Sequence, residues 1–210
     1  MRLLVLGATG RTGVELIDLA LPKHDVTAFV RSPARVTRTD GRLRVVKGDV
    51  RDSEQLAAAL AGHDAVISAL GPKVGDALFG TTPMKDAAVS TLDAMRIAGV
   101  RRFLVVSSAI LFPGGGIAVG FFRGLIGHHL VDSRRMEELV AQSAVEWTIA
   151  RPPRLVMTRD EGYVAEEGKL PGGLTVRAAM SWRAVAAFLL HAVEGNLYPR
   201  RVVGLVSHAA

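Results

Sequence analysis

The segment Gly7-Ala-Thr-Gly10-Arg-Thr-Gly13 sets three glycines at three-residue spacing. It follows a short apolar run, Arg2–Leu6, and leads into apolar residues at 14, 17, 20 and 21, the spacing of one helix face. Glycine lets the backbone turn sharply, often at positive φ. It also lets an anion approach main-chain N–H groups with no Cβ in the way. The helix that follows adds free N–H groups and the positive end of its dipole. Strand, glycine loop and helix in this order read as a seat for the pyrophosphate of a dinucleotide. Its residues are Gly7, Thr9, Gly10, Arg11, Thr12 and Gly13.

The ribose end of such a ligand separates the two nicotinamide dinucleotides. A site for NAD(H) places Asp or Glu at the end of the second strand, where it bonds the ribose 2′-hydroxyl. Here that position reads Val30-Arg31-Ser32-Pro-Ala-Arg35, without an acid. Guanidinium groups suit a 2′-phosphate, because the planar fork makes paired, charge-assisted hydrogen bonds. Each such bond contributes on the order of 1.5–3 kcal/mol, about tenfold to a hundredfold in affinity. Arg31, Ser32 and Arg35, with Arg11 in the glycine loop, therefore favour NADP(H) over NAD(H). The competing reading, in a chain with 21 Arg and 5 Lys, is that these arginines are simply solvated.

These residues need a scaffold that brings loop ends together, and the hydropathy pattern supplies one. Apolar runs at 2–6, 25–30, 43–47, 65–69, 102–107, 147–150 and 201–206 alternate with helical patterns at 13–21, 54–61, 82–98, 132–143 and 182–194. That alternation predicts an α/β domain of the Rossmann type: a doubly wound, mainly parallel sheet with helices on both faces. Asp52 and Ser181 are placed as helix caps, and Thr82-Pro83 as a cap with proline in the first turn. The single domain spans 1–210, with substrate-side loops expected near 110–131 and 152–180, where glycines and prolines break any period. Ala69-Leu70-Gly71 follows the fourth strand and should pass close to the cofactor riboses.

With those motifs in hand, the chain resembles the atypical short-chain dehydrogenase/reductases of the NAD(P)H-binding, NmrA-like group. Within that group it is similar to the flavin (biliverdin-IXβ) reductases. The resemblance runs over nearly the whole chain, through Gly7–Gly13, Arg31 with Arg35, Gly48-Asp-Val50, Asp64–Ile67, Ala98–Val100, Ser107-Ser-Ala109, Arg151-Pro-Pro153 and the helix around Val185–Leu190. It implies cofactor contacts from Asp49 and Val50 near the adenine, and from Ser107, Pro152 and Pro153. It also implies that Ser108 lies beside the nicotinamide as the candidate catalytic residue. Ser107 and Ser108 can equally serve only to end the strand, and Asp49 only to start a helix. Two departures stand out. The Tyr-x-x-x-Lys pair of ordinary short-chain dehydrogenases is absent, with Arg134 or Arg135 left as possible substitutes for its charge. Arg154 stands where the flavin reductases carry histidine.

The resemblance and the missing pair together favour an NADPH-dependent reductase. It would pass hydride to a flavin, quinone or similar conjugated acceptor, which needs less acid catalysis from a side chain than a ketone does. The alternative is a non-catalytic, NmrA-like redox sensor. Ser108, Phe112 and Arg154 are the candidate acceptor contacts, under an apolar flap at 110–130. That segment can instead be a dimer surface, so monomer and homodimer are both open. The chain has no Cys, which excludes disulfides and thiolate metal sites. The adjacent His128 and His129 point in different directions on a helix, so no metal is expected. A net charge of +6 without basic runs interleaved with aromatics gives no nucleic-acid signature. No stretch approaches the ~20 apolar residues of a bilayer span, and a cytoplasmic protein is expected.

Overall fold

The computed structural model describes residues 1–71, 83–125 and 127–207. Its elements follow the predicted alternation. Strands β1 (Arg2–Leu6), β2 (Asp25–Val30), β3 (Leu43–Lys47), β4 (Ala65–Ser68), β5 (Arg102–Val106) and β6 (Glu146–Arg151) are interleaved with helices α1 (Arg11–Ala20), α2 (Ser53–Leu60), α3 (Pro83–Ala98), α4 (Gly116–Leu125) and α5 (Gly127–Gln142). Strands β7 (Arg154–Val156), β8 (Tyr163–Glu167) and β9 (Ala179–Ser181), helix α6 (Trp182–Glu194) and strand β10 (Arg201–Ser207) complete the chain. The main sheet has the order β3-β2-β1-β4-β5-β6-β10-β8. All its pairings are parallel except β10 with β8.

Alternate residues of each central strand feed opposite cores, as a sheet buried on both faces requires. Leu3 and Val5 of β1 pack with Leu16, Ile17 and Ala20 of α1 and with Phe188 of α6. Leu4 and Leu6 face the other way, onto Leu56 and Leu60 of α2, Met95 of α3 and Met136 of α5. The chain reverses its strand order between β1 and β4, and loops after the carboxyl ends of those strands meet there. That is where open α/β sheets bind their ligands.

The predicted caps at Asp52 and Ser181 form: Asp52 accepts from the N–H groups of Glu54 and Gln55, and Ser181 Oγ from the N–H of Ala184. Thr82 lies outside the described residues. The α3 terminus has a cap from a distant element, since the buried Asp132 carboxylate of α5 accepts from the N–H groups of Met84 and Lys85 at 3.0 Å each.

Two segments expected as loops carry regular structure. Residues 152–180 hold β7, which pairs with β9 in a separate small sheet, and β8, the antiparallel edge of the main one. Three-residue strands are too short to show a period, which is why the pattern is silent there. Residues 110–130 hold α4 and the first turn of α5. Arg123 clips α4 down by donating to the carbonyls of Ile110, Phe112 and Gly114. Four glycines within Gly115–Gly124 mask the helical character of that stretch.

Candidate functional site

Strand β1 ends at Leu6, and Gly7 turns the chain at φ +75°. A Cβ there would sit 2.6 Å from the Ala69 carbonyl oxygen, and one on Gly13 would sit 2.2 Å from the oxygen of Gly7. Glycine at 7 therefore lets the loop abut the end of β4, and glycine at 13 lets α1 close onto the loop. The N–H of Gly10 bonds to the Gly7 oxygen at 2.8 Å, fixing the turn. No side chain caps α1, and its first turn holds no acid. Its leading N–H groups are thus left for an anion, with no carboxylate competing.

Beside this loop lies a cavity of about 340 Å³, lined by Gly7, Ala8, Thr9, Val30, Arg31, Ser32, Arg35, Gly48, Val50 and Leu70, with Leu6 and Phe29 at its floor. Among the described residues its lining contains two guanidinium groups and no acid. Arg31 follows the last residue of β2, and a single 3₁₀ turn, Pro33–Arg35, brings Arg35 round to the same cavity. Gly48 is needed because the Phe29 ring fills the space beyond it: a Cβ there would meet that ring at 2.2 Å. Ala69 is tied to Leu6 by a 2.9 Å backbone bond, which sets Leu70 against the glycine loop. Gly71 follows, exposed, with nothing within 4 Å of where a Cβ would stand.

Three residues expected to contact the cofactor, Arg11 and Thr12 of the glycine loop and Asp49 near the adenine, do not line this cavity. Arg11 does not line the cavity; its guanidinium lies over the Trp182 ring of α6, 5.4 Å from the centroid. The Thr12 side chain is buried, leaving only its main-chain N–H toward a ligand. Asp49 stands beside the cavity rather than in its wall. Its carboxylate takes hydrogen bonds from the Arg51 side chain at 2.7 and 3.1 Å and from the Arg51 N–H at 3.0 Å. Those bonds, with the Arg51 and Arg31 charges, pull its pKa down to about 2.

The acceptor side is built around β5, β6 and α5. Ser107 and Ser108 follow β5; the Ser107 N–H bonds to the Ala150 oxygen at 2.7 Å, and Ala109 N–H to the Pro152 oxygen at 2.8 Å. These bonds place the serines next to Pro152 and Pro153. Neither hydroxyl is used to end the strand. Ser107 Oγ is buried without a hydrogen-bond partner among the described residues, and Ser108 makes no capping bond to the 3₁₀ turn it precedes. Phe112, expected to touch substrate, is 4% exposed and packs with Ala109 and Leu170. It lies beneath the Arg151 guanidinium, 4.6 Å from its centre, and so supports the site from below. Arg154 opens β7 and is exposed.

Helix α5 has no Tyr-x-x-x-Lys pair, and its inward face holds other chemistry. Arg134 and Arg135 are exposed. Glu137 points inward instead and forms a two-pronged ion pair with Arg151 at the end of β6, Nε to Oε1 at 2.9 Å and Nη2 to Oε2. Sequence reasoning missed this pair, because an acid and a base 14 residues apart carry no periodic signal. Burial pushes the pKa of His129, also on α5, below its ordinary value, with the Asp132 charge opposing. Among the described residues no group of three His, Asp or Glu is placed to hold a metal ion, and no helix is long and apolar enough to cross a membrane.

Comparison with known proteins bears on this arrangement. The chain is 30% identical to an uncharacterised chloroplastic protein of Arabidopsis thaliana, At2g34460, over 99% of its own length and 77% of the relative's. Among solved structures it is similar to a short-chain dehydrogenase/reductase from Veillonella parvula in complex with NADP (TM-score 0.78, 20% identity, 98% of this chain and 94% of that one). It is also similar to SP1627 from Streptococcus pneumoniae, provisionally named an NADH-flavin reductase (TM-score 0.75, 20% identity, 99% of this chain and 100% of that one). Residues 7–196, which include the glycine loop, the Arg31–Arg35 turn and the β5–β6 ends, match the model of a family described as NAD(P)H-binding, and this chain belongs to that family.

Proposed function

We propose that the protein is an NADPH-dependent reductase that passes hydride to a flavin, quinone or similar flat conjugated molecule. The observation that carries the cofactor half is the cavity lining: Arg31 and Arg35 where an NAD(H) site needs an acid, and no carboxylate in the wall among the described residues. Main-chain N–H groups at the start of α1 would hold the pyrophosphate, and Val50, Leu70 and Gly71 would flank the adenine and riboses. Asp49 can still accept from an adenine amino group, since a carboxylate has more acceptor sites than Arg51 uses. The nicotinamide, when bound, supplies the hydride. The solved Veillonella relative, bound to NADP, supports the same preference.

The acceptor half rests on what surrounds Ser108. Its hydroxyl makes no capping bond and has no hydrogen-bond partner among the described residues, and it stands beside Pro152 and Pro153, so it can hydrogen-bond an acceptor oxygen or ring nitrogen. No tyrosine stands on α5, and its inward acids are engaged, Asp132 on the α3 terminus and Glu137 on Arg151. That leaves proton delivery to solvent, which suits a flavin or quinone better than a ketone. Arg154, exposed at the start of β7, is placed to meet an acidic group on the acceptor. A cytoplasmic setting and a small-molecule partner fit this chemistry.

The test is to follow NADPH oxidation with FMN, riboflavin and a water-soluble quinone. Turnover that falls at least about tenfold in Ser108→Ala, with unchanged NADPH affinity, supports the assignment. Tight NADPH binding without turnover of any acceptor favours the second reading, a dinucleotide-responsive sensor. The engaged α5 acids are the observation that keeps that reading in play.

A further inference from the structure

A second cavity, of about 270 Å³, lies at the opposite end of the sheet, where β1, β2 and β3 begin. Arg2, Asp25, Thr27, Arg42, Arg44 and His63 supply its polar walls. Strand register explains how they converge. Arg44 of β3 pairs with Thr27 of β2, and Thr27 with Leu4 of β1. Leu4 packs in the core beneath α2 and α3, so this row faces the α2 side. Arg42 and Arg2 lie two residues before Arg44 and Leu4, and therefore start out on that same side. Helix α2 stops at Leu60, and the chain leaves through Ala61, Gly62 and His63. The bottom of the sheet face is left uncovered, and the arginines surround the gap.

The cationic groups are held in place but not neutralised. His63 Nε2 and Thr27 Oγ1 are 2.9 Å apart, which fixes the ring against the β2 wall. Arg42 Nη1 donates to the Pro22 carbonyl at 3.0 Å, keeping its other N–H groups available. The Arg2 guanidinium lies beside Gly62, where a Cβ would come within 2.9 Å of Nη1. Two nearby acids are turned onto main-chain N–H groups: Asp64 accepts from Arg2 N at 2.6 Å and Asp40 from Arg42 N at 2.9 Å. Among the described residues the ion pairs involve other arginines, and none includes Arg2, Arg42 or Arg44.

We propose that this cavity is a binding site for a small phosphate-bearing anion, separate from the dinucleotide site. Guanidinium forks match phosphate oxygens in geometry as well as charge. At about 270 Å³ the cavity lies at the small end of ligand pockets, and its clustered arginines suit a pyrophosphate or a mononucleotide. Only Asp25 in the wall opposes such a ligand.

The experiment titrates inorganic phosphate, pyrophosphate and AMP into ¹⁵N-labelled protein saturated with NADPH, and repeats it without NADPH. Saturable amide shifts at residues 41–44 and 61–63 are expected in both series. The Arg42→Ala/Arg44→Ala variant changes two exposed side chains. It should keep the melting temperature and the NADPH affinity while weakening the anion about tenfold or more. Tighter binding of AMP than of pyrophosphate would identify a nucleotide as the source of the phosphate, and equal binding would identify the phosphate alone. Shifts confined to residues 7–13 and 31–35 would overturn the proposal, since the anion would then be reading the cofactor site. So would unsaturable shifts at every arginine, or a folded variant that binds as tightly as the parent.

Discussion

At the scale of single residues, the site is a matter of which side chains are absent as much as which are present. Among the described residues no acid stands in the cavity beside Arg31 and Arg35, so a 2′-phosphate there would meet two guanidinium groups unopposed. Arg31→Ala should therefore weaken NADPH about tenfold to a hundredfold, with little change for NADH. Calorimetry with both coenzymes measures this; equal losses for the two would show that Arg31 reads something other than the 2′ position. Gly13 is a second such case. Its place 2.2 Å from the Gly7 oxygen, counted from where a Cβ would be, leaves no room for a methyl group. Gly13→Ala should cost about 1–3 kcal/mol of stability from overpacking, seen as a lower urea midpoint, and should loosen the phosphate seat. An unchanged midpoint would mean that α1 moves away without strain. The glycine spacing and the missing acid were both legible in the sequence, because each is a local pattern with one physical reading. The side-chain direction of Arg11 was not. A loop arginine is long enough to reach either the ligand or Trp182, and only the packing of α6 on α1 decides between them.

At the scale of elements, hydropathy predicted the six central strands and most helices, since buried parallel strands and amphipathic helices leave distinct periods. It was silent where structure is held by contacts remote in sequence. Strands β7 and β9 pair across more than twenty residues, α3 is capped by Asp132 from α5, and Glu137 meets Arg151. The last of these joins helix α5 to the end of β6, directly before Pro152 and Pro153. Truncating it leaves a guanidinium that is 16% exposed without its counter-charge. Glu137→Ala should thus destabilise by about 3 kcal/mol, the lower end of the range for broken buried pairs. Urea denaturation checks the magnitude. An Arg151→Met/Glu137→Met double variant should recover much of the loss, because the penalty lies in the unpaired charge rather than in the missing attraction. Failure of the double variant to recover would locate the cost in packing over Phe112 instead.

At the scale of the whole molecule, both ends of the sheet concentrate positive charge. The carboxyl ends gather N–H groups and arginines around the dinucleotide cavity, while the amino ends hold Arg2, Arg42 and Arg44 around His63. Burial pushes the His63 pKa below its ordinary value, and the Arg2 and Arg44 charges push it further in the same direction. His129 is lowered by burial as well. The unfolded chain takes up protons on both rings as pH falls through about 6.5, whereas the folded chain resists. Stability is therefore full above that value and declines as pH drops through the window between the unfolded and folded pKa values. The carboxylate of Asp49, held at about 2, adds a further loss only in a separate and more acidic range. In buffer free of phosphate, the urea midpoint should fall between pH about 7.5 and about 5, and His63→Gln should flatten that fall because the glutamine has no proton to take up. A variant with the parent's slope would show that the ring at position 63 is no more reluctant to charge in the fold than in the open chain. The decline would then have to come from His129.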